Sequence, residues 1–270
     1  MIDKKNKRAL VTGATGGIGE QMARLLAIKA YDLILVARNE HKLEKISSEI
    51  SATTRIACDY FVCDLSKEAE IEKLISAHPE TDVLINNAGF ARYGSFHLSP
   101  WETERAMMMV NVYALFRLCH HYLRGMMGRN SGRILNVAST AGLHAAPFFS
   151  TYAGTKAFVI QFSKSLALEL QGYNVSVSTL LPGPTATNFW EVAQTAAKVE
   201  KRFKSFDSPR EVAEFGIRLI EKNKIAGIPG WKNKVKSIIK HYMPETVWFY
   251  AIRRHMLHPS LDEQKKQQHC

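Results

Sequence analysis

Short apolar runs alternate with longer segments of helical period through the first two-thirds of this chain, and few folds accept that order. "RALVTG" precedes a helical stretch over 17–29, "DLILVAR" one over 40–50, and "CDYFVCD" one over 67–77. The series continues with "DVLINNAG", a long helical stretch over 100–127, "GRILNVAS", a helix through Tyr152 that stops near Gly172, and "NVSVSTLLPG". Strand–helix–strand repetition requires right-handed crossovers, so the expected class is α/β: a doubly wound, Rossmann-type parallel sheet of about seven strands, helices on both faces. A C-terminal helical extension follows it. In such sheets a ligand binds beyond the C-terminal ends of the strands, and the unusual dipeptides of this sequence fall at those ends.

No change of composition and no Gly/Ser/Pro linker divides the 270 residues. Residues 1–230 are therefore read as one binding and catalytic domain, and 231–270 as a basic, aromatic extension packing on that domain or on a membrane surface. No signal-peptide core and no long apolar run is present, and Cys58, Cys63, Cys119 and Cys270 form no close pair, which together lead to the expectation of a reduced, cytoplasmic chain. No cluster of metal ligands is seen. The net charge of +11 is concentrated at one end: from Lys222 onward 10 Lys and Arg face 3 acids, giving +7. The remaining body is nearly balanced and carries no nucleic-acid module, so nucleic acid is not an expected partner.

"TGATGGIG" at 12–19 joins the first strand to the first helix. Gly13, Gly17 and Gly19 allow a tight turn, close approach of a pyrophosphate and close helix packing, with the helix N-terminus facing the phosphates. Their spacing is GxxxGxG, one turn longer than the usual dinucleotide fingerprint. An acid that would bind an adenosine ribose is absent from the end of the second strand, where Ala37 and Arg38 stand. A guanidinium there pairs with a 2′-phosphate, so NADP(H) is favoured over NAD(H). Farther along, Tyr152 and Lys156 are four apart in "STYAGTKAF" and share a helix face. A tyrosine titrates near ~10 when free, and a nearby cation favours its phenolate, which suits proton transfer.

Taken together, these motifs resemble the short-chain dehydrogenase/reductase family over about residues 7–230: "TGATGGIG", Asp64, "NNAG" at 86–89, Asn111, Ser139, "YAGTK" and "PGPTAT" at 182–187, in order. The resemblance is to its NADP-preferring carbonyl reductase branch. It implies that Tyr152 donates a proton to a carbonyl oxygen and that Lys156 lowers its pKa and binds the nicotinamide ribose. It further implies that Ser139 stabilises the developing oxyanion and that Asn111 holds a water linking Lys156 to solvent. For the cofactor it implicates Gly13, Thr15, Gly16, Gly17, Ile18 and Gly19 at the phosphates, Arg38, Asp64 and Leu65 at the adenosine, and Asn87, Ala88 and Gly89 beside it. Pro182, Gly183, Thr185 and Thr187 then serve the nicotinamide end. A homodimer or homotetramer through the helices at 101–127 and 152–171 is also implied.

His144, Pro147, Phe148, Phe149, Phe189 and Trp190 stand around this site as a mostly apolar set, suited to a lipophilic ketone or aldehyde. A second reading, an NADP(H)-binding scaffold or redox sensor without turnover, is weakened by the intact Ser139, Tyr152 and Lys156 set. A sugar-nucleotide epimerase is disfavoured by the glycine spacing and the length. In the tail, Trp231, Val235, Ile238 and Tyr242 recur at helical spacing among Lys232, Lys234, Lys236 and Lys240, with Arg253 and Arg254 beyond. Such a stripe either packs over the pocket or lies in a membrane interface.

Overall fold

The computed structural model describes residues 7–187, 189, 193 and 206–252. Seven strands form one sheet in the order β3-β2-β1-β4-β5-β6-β7. They are β1 (Arg8–Thr12), β2 (Asp32–Ala37), β3 (Cys58–Val62), β4 (Val83–Asn86), β5 (Gly132–Val137), β6 (Val175–Leu180) and the two-residue β7 (Ala226–Gly227). Every pairing is parallel. The order reverses between β1 and β4, and the loops after their last residues diverge to leave a crevice there.

Adjacent residues of β1 lie in different cores. Ala9 and Val11 join a cluster with Met22 and Leu26 of α1 (Gly17–Ile28), Leu43 and Ile46 of α2 (Glu40–Thr53), and Val212 and Ile217 of α7 (Pro209–Glu221). Leu10 joins the opposite cluster, with Ile71 and Leu74 of α3 (Glu68–Ala77), Leu118 of α5 (Leu115–Gly128), and Val159 and Ile160 of α6 (Ser150–Glu169). A strand covered on both faces must be apolar at every position, which is why these strands read as continuous runs. Local signals set the helix ends: Asn39 caps α2 by accepting from the Lys42 N–H at 2.9 Å, and Gly172, at φ 93°, turns the chain after α6.

The stretch expected to be one long helix over 100–127 is helical throughout from Trp101, but its winding is not uniform. It runs as α4 (Trp101–Met108), a π turn (Met109–Ala114) and α5. The wide turn centres on Asn111, whose buried side chain bonds elsewhere instead of lying along the helix surface, as described below. The C-terminal extension forms α8 (Trp231–Tyr242) and α9 (Glu245–Ile252). Arg253, Arg254 and the rest of the tail lie outside the described residues. No helix among the described residues is long and apolar enough to cross a membrane.

One buried polar chain crosses the sheet. Asn86 Nδ2 donates to Asn136 Oδ1 at 2.9 Å, and Asn136 Nδ2 donates to Ser163 Oγ of α6 at 2.9 Å, so β4, β5 and α6 are tied in register. Asn136 is fully buried. Replacing it with alanine leaves the Asn86 amide only its weaker bond to Cys119 Sγ at 3.2 Å and removes the donor to Ser163, and should cost about 1–3 kcal/mol. The expected result is a lower urea midpoint with an unchanged slope; an unaltered midpoint would mean the chain of amides adds nothing to stability.

Candidate active site

Beyond the end of β5 the backbone makes a short 3-10 turn (Thr140–Leu143), and Ser139 caps it by accepting the Ala141 N–H at 3.1 Å. Gly142 lets that turn lie flat on α6, since a Cβ on it would stand 2.5 Å from the Lys156 carbonyl carbon and 2.6 Å from the Ala157 nitrogen. The close approach brings Ser139 within hydrogen-bonding reach of the Tyr152 hydroxyl. Tyr152 and Lys156, one helical turn apart, are both buried. Lys156 Nζ donates to the carbonyl of Val137, the last residue of β5, at 2.8 Å.

Burial controls the ionisation of this pair. It pushes the Tyr152 phenol up to about 12, against the opposing hydrogen bond from Ser139, and it pushes the Lys156 ammonium down to about 8. For Tyr152 burial is the largest influence, and it acts opposite to the lowering expected of a neighbouring cation. The ammonium lies 5.9 Å from the centre of the phenol ring and directs a proton at the Val137 carbonyl. A phenol held up in this way stays protonated at neutral pH, the state a proton donor needs.

Asn111 reaches the same place from the π turn. Its Nδ2 donates to the Phe90 carbonyl at 2.9 Å and to Thr155 Oγ1 at 3.1 Å, while its Oδ1 accepts the Phe90 N–H at 3.0 Å. Both amide hydrogens are thus engaged within the protein, and the residue fastens the turn after β4 to α6. Gly89 leaves room between them: a Cβ there would be 3.0 Å from Asn111 Oδ1 and 3.3 Å from Lys156 Nζ.

The glycine-rich turn lies across the crevice. Gly13 (φ 66°) and Gly17 (φ 56°) occupy the left-handed region that side chains avoid. Asn87 Nδ2 braces the turn through the carbonyls of Thr12 at 3.0 Å and Gly13 at 3.2 Å, and Gly19 packs so tightly on both that no Cβ fits. A Cβ on Gly17 would meet Thr187 at 2.8 Å, which closes the turn from the far side. In front of Gly16 there is open space, and no side chain caps the first turn of α1, so its N–H groups are left to a ligand. This is the fit a dinucleotide pyrophosphate requires. Thr15 is half-buried in the same turn, whereas Ile18 packs on the core beneath it.

At the adenosine side, Arg38 is exposed at the end of β2 and close enough to Asp64 to help hold its carboxylate below the ordinary range, although the bonds from Ser66 act more strongly. Leu65, next to Asp64, has its side chain buried in the core. At the nicotinamide side, Pro182 accepts the Thr140 N–H at 2.9 Å, and Thr185 is buried with its hydroxyl on the Gly183 carbonyl at 3.0 Å. Ala88 N–H donates to Thr12 Oγ1 at 3.0 Å.

Aromatic rings surround the phenol. Phe149 and Phe189 lie 6.2 and 5.4 Å from Tyr152, and Tyr93, which the sequence reading omitted, packs on Phe149 at 5.1 Å and on Phe148 at 5.5 Å. Phe148 adopts φ 66° to turn the chain into α6. His144 is not in this group; it stacks 5.4 Å from Trp248 of α9. Trp190 lies outside the described residues. Gly142 was also missed, although a glycine three residues after a strand-end serine is a signal for close packing of the turn.

Residues 7–198 match the short chain dehydrogenase family model. The chain is 31% identical over 254 residues to hydroxysteroid dehydrogenase-like protein 1 of Gallus gallus, which covers 92% of this chain and 75% of that protein. It is 29% identical over 236 residues to a very-long-chain 3-oxoacyl-CoA reductase of Bos taurus, covering 83% and 76%. Among solved structures, a short-chain dehydrogenase from Sphingobium yanoikuyae in complex with NADPH superposes with a TM-score of 0.78 at 25% identity, covering 88% of this chain and 96% of that one.

The contact between the Ser139 turn and α6 leads to a specific expectation. Gly142→Ala should push the turn off the helix and lower kcat by about 10²-fold, as a misplacement of ~1 Å in an active site does. Nucleotide affinity, followed by fluorescence titration, should hold, since the glycine-rich turn is untouched. Full turnover in the variant would show that the close approach is not needed.

Proposed function

We propose, from the premise that this chain belongs to the short-chain dehydrogenase family, that it is an NADPH-dependent reductase of an apolar ketone or aldehyde. The observation that carries this reading is the contact of Ser139 with a buried, protonated Tyr152 one turn from Lys156, across the crevice from an uncapped, glycine-lined helix start. Bound NADPH supplies the hydride. Tyr152 gives its proton to the carbonyl oxygen while the Ser139 hydroxyl donates to that oxygen as charge develops. Lys156, charged below about pH 8, steadies the phenolate that remains and holds the nicotinamide ribose. Asn111, fixed by its bonds to Phe90 and Thr155, is assigned the water through which the proton returns from solvent.

The uncapped N-terminus of α1 receives the pyrophosphate and Arg38 the 2′-phosphate, and Asn87 keeps the turn in shape. An apolar substrate is supported by the rings of Phe149, Phe189 and Tyr93 around the phenol, and by relatives named for hydroxysteroids and long 3-oxoacyl chains. Pairing with a second copy is assigned to α5 and α6, where the exposed Phe116 and Phe158 flank Phe162 at 5.5 and 5.7 Å. Met107 and Leu118 of the same stretch are core and take no part in it.

Oxidation of NADPH by a panel of apolar ketones tests the proposal. Tyr152→Phe should bind NADPH yet lose at least ~10²-fold in kcat, because the ring remains and the proton is gone; retention of a tenth of the rate would refute the assigned role. For the cofactor, Arg38→Asp should swing the ratio of kcat/KM values from NADPH toward NADH, since a cation facing the 2′-phosphate becomes an anion. An unchanged ratio would place selectivity elsewhere.

A further inference from the structure

Helix α8 is amphipathic, but it is mounted inside out. Its polar side faces the protein: Asn233 Nδ2 donates to Asp207 at 2.6 Å and to the Pro229 carbonyl at 3.3 Å, and Ser237 is buried. Asn233 lies so close over Gly183 that a Cβ there would be 2.5 Å from its amide nitrogen. The apolar side faces out, with Trp231 73%, Val235 44%, Ile238 48% and Ile239 55% exposed. At 3.6 residues per turn these four share one arc, with Lys232 on one flank and Lys234 on the other. On α9, Trp248 turns inward against His144 and Lys240, while Val247, Phe249 and Tyr250 are exposed by half or more.

A cavity of about 360 Å³ continues this surface. Phe215, Leu219 and Ile228 contribute apolar walls, and Arg218, Lys222, Lys224 and Lys234 contribute four cations, with no carboxylate among the described lining residues. On α7, Glu221 is paired with Lys29 at 2.6 Å and Glu214 with Arg210 at 3.2 Å, while Glu214 reaches Arg218 itself only at 3.9 Å. We propose that the outer face of α8 and α9, with this cationic cavity, docks the protein on an anionic lipid surface. Aromatic and aliphatic side chains enter the interface, and the lysines and Arg218 meet phosphate headgroups. A second copy is a poor occupant because it would set this basic face against its own like charges. The inner side of the same helices rests on Gly183 and on His144 beside the catalytic turn, so docking sets the active site against the bilayer.

The test reads binding and not turnover, so it is independent of the reductase reading. The full chain is sedimented with phosphatidylcholine vesicles with and without phosphatidylglycerol. It should pellet only with the anionic vesicles and be released as salt screens the attraction. Lys232→Glu with Lys234→Glu, and separately Trp231→Ser with Ile238→Ser, should each reduce the pelleted fraction by about 10-fold or more. All four side chains are exposed, and unchanged thermal midpoints will show that the variants remain folded. Equal recovery in the supernatant with both vesicle types would overturn the proposal, as would undiminished pelleting of either variant. A dimer in light scattering that Trp231→Ser with Ile238→Ser dissolves would also overturn it, by assigning the face to a second copy.

Discussion

A lysine ammonium buried against the end of a sheet is the constraint around which this molecule is arranged. Lys156 Nζ donates to the carbonyl of Val137, so α6 is fixed to the last residue of β5 by a charged group that has lost its water. Such a group is tolerable only where its protons find acceptors, and the C-terminal end of a parallel sheet offers carbonyls with no further strand residue to receive. Tyr152 follows one turn away by helix geometry alone. Ser139 follows because Gly142 lets its turn lie on the helix. The catalytic arrangement is thus a packing solution between one strand end and one helix, with the glycine-rich turn of β1 facing it across the place where strand order reverses.

Burial of this kind moves the phenol upward and the ammonium downward, each toward its uncharged form. A simple pairing of phenolate with ammonium would do the reverse. Burial therefore favours the neutral phenol, which agrees with the donor role proposed for Tyr152.

The sheet and its glycine turn were legible in the sequence because their causes are local: runs buried on both faces, an asparagine at a helix start, glycines where the backbone turns left-handed. Ser139, Tyr152 and Lys156 were also readable, since each stands at a strand end or one turn from its neighbour. What escaped depends on distant partners. The π turn at Asn111 exists because Phe90 and Thr155 wait for that amide. The Leu65 side chain, three residues beyond the end of β3, is buried by partners from other elements that the local sequence does not display. Likewise the stripe of α8 was plain in the sequence, but its direction was decided by Asn233 and Asp207 on the opposite side.

The wide turn at Asn111 also records a phase slip. A π turn carries one residue more than an α turn over the same span, so α4 and α5 are a single rod whose two halves are offset by roughly 100° about the axis. Excising one residue between Met109 and Ala114 would straighten the rod, and straightening would rotate α4 against α5. Met107 and Glu104 would leave their buried positions as Asn111 lost its hold on Phe90. In this stretch chain length is itself a functional parameter: every single substitution keeps the register of the helix, and a one-residue deletion cannot.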